Sequence, residues 1–341
     1  MRYIYRSYGL TVESDRSIQA LTAVSSTVPA PDLTCFLGSM PAWAREALTL
    51  PMTSARMRPT ELLLGDETFT VSEYDHGRFF NLAYGDGTRF LLDRNATRLW
   101  GESGSGLSHD DLCVYLVGPV MGFILRQRGL TCLHASAVTF HGRAIALFGA
   151  AGAGKSTTAA TLGLRGWPVL CEDVCALQQV EDQFLVRPGY PRVCLWPDSV
   201  DFLFSSADAL PLIVKGWEKR FLELDGSRAR FGNSCVPLSA VFLLAGREDS
   251  DSAPRFERLS QREAVLHLVA NTYMNWLLNP DQRAAEFDVL TSLMSSVECF
   301  RVIPSTDPAR LPALAELIES QALRVVGQHD LPALGTAPSN V

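Results

Sequence analysis

The chain has 341 residues, enough to bury a sizeable core and to form two domains. Apolar residues make up 47% and charged residues 20%, a globular balance that excludes a disordered or coiled-coil chain. A net charge of −7 without any cluster of Lys and Arg excludes a nucleic-acid binder, because neutralising phosphates needs such a cluster.

The opening "MRYIYRSYGLTVES" alternates and carries too much charge for a signal peptide. That stretch, and three alternating runs within "ETFTVSEYDHGRFFNLAYGDGTRFLLDRNATRLW", predict an antiparallel β-rich N-terminal domain over residues 1–107. Turn signals at Asp75-His76-Gly77, Gly85-Asp86-Gly87 and Asp93-Arg94-Asn95 separate the runs. "GESGSGLSHDD" then marks a break and a helix start, with Ser108 as cap and Asp110 and Asp111 in the first turn. This helix is expected to reach about Arg128. Its uncharged stretch, Leu112 to Leu125, falls short of the ~20 residues of a membrane span and contains Gly118-Pro119, so a core helix and no membrane contact are expected. The eight cysteines show no metal-ligand spacing and mostly sit in apolar strings, which predicts a reduced, cytoplasmic protein without zinc or structural disulfides.

A second domain is expected over 108–326. The strands "CLHASAVTF" and "RAIALFGA" flank a turn at His141-Gly142 and lead into a glycine-rich loop, a short helix ending near Gly166, and the strand "WPVLCED". Mixed strand and loop follow to about 247. Helices are then expected over 259–278, 280–297 and 308–324, and the segment 327–341 reads as a flexible tail.

The loop carries the chemistry. Gly149-x4-Gly154-Lys155-Ser156 follows an apolar strand and opens a helix, the context in which backbone N–H groups cradle phosphates. Gly149, Ala150, Ala151, Gly152, Ala153, Gly154, Lys155, Ser156 and Thr157 are the expected nucleotide-binding residues. Lys155 would reach the β- and γ-phosphates, and the Ser156 hydroxyl would ligate Mg²⁺. A right-handed crossover after the loop lays the strand ending in Glu172-Asp173 parallel to the one before it. The acid pair then opens on the same edge as the loop, where it can hold the metal and take a proton from an attacking hydroxyl. Pairing Phe140 with Arg143 across the turn puts His134 opposite Gly149, beside the phosphate clamp. There it could donate to a transferred phosphoryl group or tune a nearby carboxylate. Lys219, Arg220, Arg187 and Arg192 are further candidates for phosphate or carboxylate contacts. Asn271-Thr272-Tyr273, on an apolar helix, reads as core packing with a satisfied polar group, and Trp196, Trp217 and Trp276 as core or groove lining.

Over residues 130 to 176, "LHASAVTFHGRAIALFGAAGAGKST…LRGWPVLCEDV" resembles the catalytic core of the HPr kinase/phosphorylase family: a histidine strand, a hairpin, a P-loop, a short helix and a closely spaced acidic pair. The resemblance implies an α/β (α+β) fold shared with phosphoenolpyruvate carboxykinases, a mixed sheet around the P-loop. The looser segments "RPGYPRVCLWPDSV", "EKRFLEL" and "EAVLHLVANTY", with the β module, are more similar to HPr-kinase-like proteins of ribosomal peptide clusters, especially lasso peptide kinases. It implies an ATP- and Mg²⁺-dependent kinase acting on a precursor peptide or small protein with an acceptor serine, typically the C-terminal serine. Asp173 matches the family's proton acceptor and His134 its active-site histidine. The chain departs at Glu172, where the family often has a second aspartate, and Asp198 is a possible replacement ligand. It lacks the Glu-x-Arg-Gly-x-Gly segment after the acid pair, which speaks against HPr itself and against phosphorylase activity. The alternatives are HPr(Ser) kinase/phosphorylase and a non-catalytic nucleotide-binding sensor or assembly factor. An oligomer is compatible with the sequence.

Overall fold

The alternating runs of the first hundred residues build one eight-stranded sheet in the structure, a computed structural model that describes residues 2–24, 30–59 and 68–329. Its strands are β1 (Tyr3–Ser7), β2 (Leu10–Ser14), β3 (Leu33–Phe36), β4 (Met52–Pro59), β5 (Thr68–Tyr74), β6 (Phe79–Tyr84), β7 (Arg89–Asp93) and β8 (Arg98–Glu102), with a short helix α1 (Ala42–Ala47) after β3. The order is β1-β2-β3-β8-β7-β6-β5-β4. The three expected turns join β5 to β8 as antiparallel hairpins. Asp75, His76 and Gly77 all take positive φ at the first of them, the conformation such turn residues tolerate. The module is not purely antiparallel, since β3 lies parallel to both β2 and β8. Long connections on either side of β3 return it in the same direction, which a tight turn cannot do.

Ser108 caps α2 (His109–Tyr115) in a reciprocal capping box with Asp111. The helix expected to run to about Arg128 is interrupted by one π-turn, Leu116–Val120, before α3 (Met121–Gln127). Pro119 has no N–H and its ring crowds the preceding turn, so the helix widens there rather than continuing regularly. Every residue from Leu116 to Leu125 is buried, as expected of a helix that is apolar all round.

The second large sheet contains β9 (Thr131–Phe140), β10 (Arg143–Phe148), β11 (Val169–Cys171), β12 (Val174–Val180), β13 (Gln183–Val186), β16 (Val236–Leu244), β17 (Arg255–Arg258) and β18 (Glu298–Ile303). Its pairings close on themselves, running β9–β10–β16–β13–β12 and back to β9, while β18 and β17 extend from β16. A ribbon of β14 (Arg192–Leu195) and β15 (Arg220–Glu223) stands apart. The helices are α4 (Lys155–Leu164), α5 (Pro197–Phe204), α6 (Gln261–Ala270), α7 (Pro280–Ser296) and α8 (Leu311–His329).

Alternate residues of β10 face two different cores, which explains its unbroken apolar sequence. Ala144, Ala146 and Phe148 join the core shared with the N-terminal sheet and α2–α3. Ile145 and Leu147 join the core under α4 and α8. The sheet is therefore mixed and covered on both faces.

Two helical expectations change. The helix expected over 259–278 ends at Ala270, because the backbone of 271–273 bonds to β9 instead of continuing the helix. The last helix continues past 324 to His329, and residues 330–341 of the expected tail lie outside the described residues.

Candidate functional site

Gly149 leaves β10 with φ +146, and a Cβ placed there would lie 2.5 Å from the Leu244 carbonyl oxygen of β16. Only glycine fits this close approach between strand end and neighbouring strand. The loop then turns into α4, a ten-residue helix starting at Lys155. The Lys155 ammonium is buried within the loop and donates to the carbonyls of Gly149 at 2.8 Å and Ala150 at 3.0 Å. Burial lowers its pKa, opposed by the charges of Asp173 and Glu172. Thr157 on α4 shares a 2.8 Å hydroxyl–hydroxyl bond with Ser199 on α5, which ties the two helices together.

The site forms where the pairing of β9 forks on both edges at once. The hairpin register runs from Phe140 opposite Arg143 to Ala135 opposite Phe148, so β10 departs toward the loop beside His134. Asn271 to Tyr273 takes over that edge: His134 N–H donates to the Asn271 carbonyl, and Tyr273 N–H to the Cys132 carbonyl. On the other edge β11 gives way to β12. Both are antiparallel to β9, so β11 is parallel to β10 with β9 between them. The break between them is Glu172-Asp173, where Asp173 takes φ +66 and Val174 N–H bonds back to the Glu172 carbonyl. A non-glycine residue in this region is strained and needs its surroundings to hold it. Here paired strands on both sides do so.

The fork projects four side chains together. Asp173 Oδ1 lies 3.5 Å from His134 Nδ1, and Asp173 Oδ2 accepts the Tyr273 hydroxyl at 3.1 Å. The Tyr273 and His134 rings stack at 6.0 Å between centroids. Tyr273 is itself set by α3, for a Cβ on Gly122 would fall 2.4 Å from its ring. Burial lowers the His134 pKa, while the Asp173 carboxylate pulls it back up. Ser156 donates to Glu172 Oε1 at 2.7 Å. Glu172 is only 7% exposed, and burial together with the Asp173 charge pushes its carboxyl up to about 7.

All of these groups line one cavity of about 1210 Å³, together with Trp196, Asp198, Ser199 and Lys219. The N-terminal sheet reaches the same cavity through Arg58, Phe69 and Tyr84, and the turn after α6 contributes Met274 and Trp276. Phe69 stacks on Tyr84 at 4.7 Å and meets Trp276 edge-on at 5.8 Å, giving that part of the wall an aromatic character. Arg247 and the stretch from Pro304 to Arg310 line it as well.

The donor set suits a small hard cation. No cluster of three or more His, Cys, Asp or Glu side chains forms a metal site among the described residues. Two adjacent carboxylates and a hydroxyl beside the glycine loop are, however, the kind of few protein oxygens that Mg²⁺ takes while phosphate and water supply the rest. Burial chiefly, and the Asp173 charge beside it, raise the proton affinity of Glu172, and a cation would relieve the second of these.

Of the other residues singled out, Lys219, Trp196, Trp276 and Asp198 reach the cavity. Arg187 is engaged with Gln178 and the Tyr8 carbonyl, Arg192 with Phe221, Glu223 and Gln19, and Arg220 with Asp208 and the Leu210 carbonyl. Trp217 is buried in the core. Tyr273, read as a core residue with a satisfied polar group, is packed in the core, and the partner of its hydroxyl is Asp173. The only sequence signal for that was the polar and aromatic cluster "NTYMNW" interrupting an apolar helix.

No family model matches this chain, and no curated protein matches it. Among solved structures it is similar to the Hpr(Ser) kinase/phosphatase from Coxiella burnetii, at 14% sequence identity and a TM-score of 0.33, over 58% of this chain and 94% of that one. A superposition that loose carries no argument, so the site stands on its own geometry.

Proposed function

We propose that the protein is a nucleotide-dependent kinase that transfers the terminal phosphate of ATP, with Mg²⁺, to a serine hydroxyl on a peptide. The observation that carries this reading is that the Asp173 carboxylate, oriented by His134 and Tyr273, lines the same cavity as Lys155 and Ser156 of the glycine loop. Lys155 and the loop amides hold the phosphate oxygens. Ser156, Glu172 and Asp173 would hold the metal, which would neutralise charge on the transferred group. Asp173 accepts the proton of the serine hydroxyl as the new O–P bond forms and the bond to the departing diphosphate breaks. His134 and Tyr273 keep Asp173 aimed at that proton.

The acceptor we favour is the C-terminal serine of a ribosomally made precursor peptide of the lasso type. The resemblance of the chain's motifs to lasso peptide kinases supports this. So does the entry of Arg58, Phe69 and Tyr84 into the cavity, which gives the N-terminal sheet a surface on which to present a peptide. Incubation with MgATP and peptides ending in serine is expected to add the mass of one phosphate, and matched peptides ending in alanine are expected to stay unmodified. Nucleotide binding without any transfer would leave a sensor instead, and modification of purified HPr would restore the HPr-directed reading.

A further inference from the structure

The ribbon of β14 and β15 ends with Leu195 opposite Arg220, and the next residues along each strand, Trp196 and Lys219, meet through their side chains. Both line the cavity with the glycine loop. The ribbon end is held there, since α5 begins directly after Trp196 and is bonded through Ser199 to Thr157 of α4. Trp196 is 53% exposed, unusual for an indole, and the Lys219 ammonium sits over its ring at 4.9 Å from the centroid. A cation–π contact of this kind fixes the ammonium without neutralising it.

Among the described residues Lys219 has no ion pair, whereas its neighbour Arg220 is bound to Asp208. An ammonium held at the cavity wall without an ion pair among the described residues, facing the same space as Lys155, is arranged for an anion. The phosphate tail of a nucleotide is the polyanion the loop would hold.

We propose that Lys219 is a phosphate-binding residue whose ammonium contacts the terminal phosphoryl group of the nucleotide held by the glycine loop. Lys155 grips the chain of phosphates from inside the loop, and Lys219 closes on its end from the ribbon. This inference rests on the nucleotide reading above, but it is tested without any acceptor peptide.

Binding of MgADP and of a non-hydrolysable Mg-triphosphate analogue is measured calorimetrically for the wild type, Lys219→Met and Lys219→Arg. Methionine keeps the stem over Trp196 and removes the charge. Lys219→Met is expected to weaken the triphosphate by about tenfold or more, the worth of one charge-assisted contact. Its affinity for ADP should stay within about twofold, since a diphosphate lacks the group contacted. Lys219→Arg is expected to recover most of the loss. Equal weakening of both nucleotides, or no change in either, overturns the proposal and leaves Lys219 as a counter-charge to the acid pair. A wild type that binds neither nucleotide overturns the nucleotide reading itself. A thermal unfolding scan on each variant separates loss of contact from loss of fold, and Lys219→Gln replaces Lys219→Met should the latter unfold.

Discussion

Strands β5 to β8 of the N-terminal sheet each pair with the next strand in sequence through a short turn. The second sheet closes only when β10 pairs with β16 and β13 finds the start of β16, segments far apart in the chain. Both sheets are well buried, yet the groups suited to chemistry stand at the strand ends of the second. The first contributes walls: Arg58, Phe69 and Tyr84. Local pairing makes a surface, and long-range pairing gathers reactive groups that are distant in sequence. Changes at the strand ends of the second sheet should therefore remove turnover without unfolding the protein. Changes in the first should alter how the acceptor is held.

The sharpest test is Asp173→Asn. Asparagine tolerates the left-handed backbone at this position, so folding and ADP binding are expected to persist. The rate of peptide phosphorylation, followed by mass spectrometry, should fall by roughly 10²–10⁴-fold, the usual worth of a positioned base. A variant that keeps wild-type turnover would break the assignment of Asp173. Next in size is Arg126→Met. Arg126 on α3 and Glu286 on α7 form an ion pair at 2.6 Å with both side chains under a tenth exposed. Losing one partner strands a buried charge, so urea unfolding should show a loss of about 3–5 kcal/mol. The folded variant should bind nucleotide normally, which marks this as a brace rather than part of the site.

Gly122→Ala joins the two behaviours. The added methyl meets the Tyr273 ring, so a stability loss of about 1–3 kcal/mol is expected from overpacking. Turnover per folded molecule should fall as well, because Tyr273 orients Asp173. The smallest effect is expected for Phe69→Leu, at under about 1.5 kcal/mol of stability for a hydrophobic swap of this kind. Its informative readout is kinetic, with the acceptor KM rising while the KM for ATP stays put. An unchanged acceptor KM would detach the N-terminal sheet from substrate binding.

Much of the site was legible in the sequence because its signals are local or follow from one hairpin. Gly149 to Ser156 is a contiguous motif, the register from the His141-Gly142 turn located His134, and one crossover placed Glu172-Asp173 near the loop. Tyr273 was legible as a core residue but not as the partner of Asp173. It reaches Asp173 only because β9 takes the backbone of 271–273 out of the helical pattern, a competition between strand edge and helix that periodicity does not reveal. Lys219 looked like any of four scattered basic residues. What distinguishes it is the fate of the others, each tied to its own partner, and that depends on tertiary placement. The parallel seat of β3 was hidden for the same reason, since its neighbours come from opposite ends of the module.

The hydrogen bond between Tyr273 and Asp173 links residues a hundred positions apart, and this has a bearing on biosynthesis. A ribosome exposes the glycine loop and both acids well before it exposes residue 273. The core beneath α4 also waits for β18 and α8, which follow residue 273, so the loop and its acids would gain their packed seat and their tyrosine contact only late in synthesis.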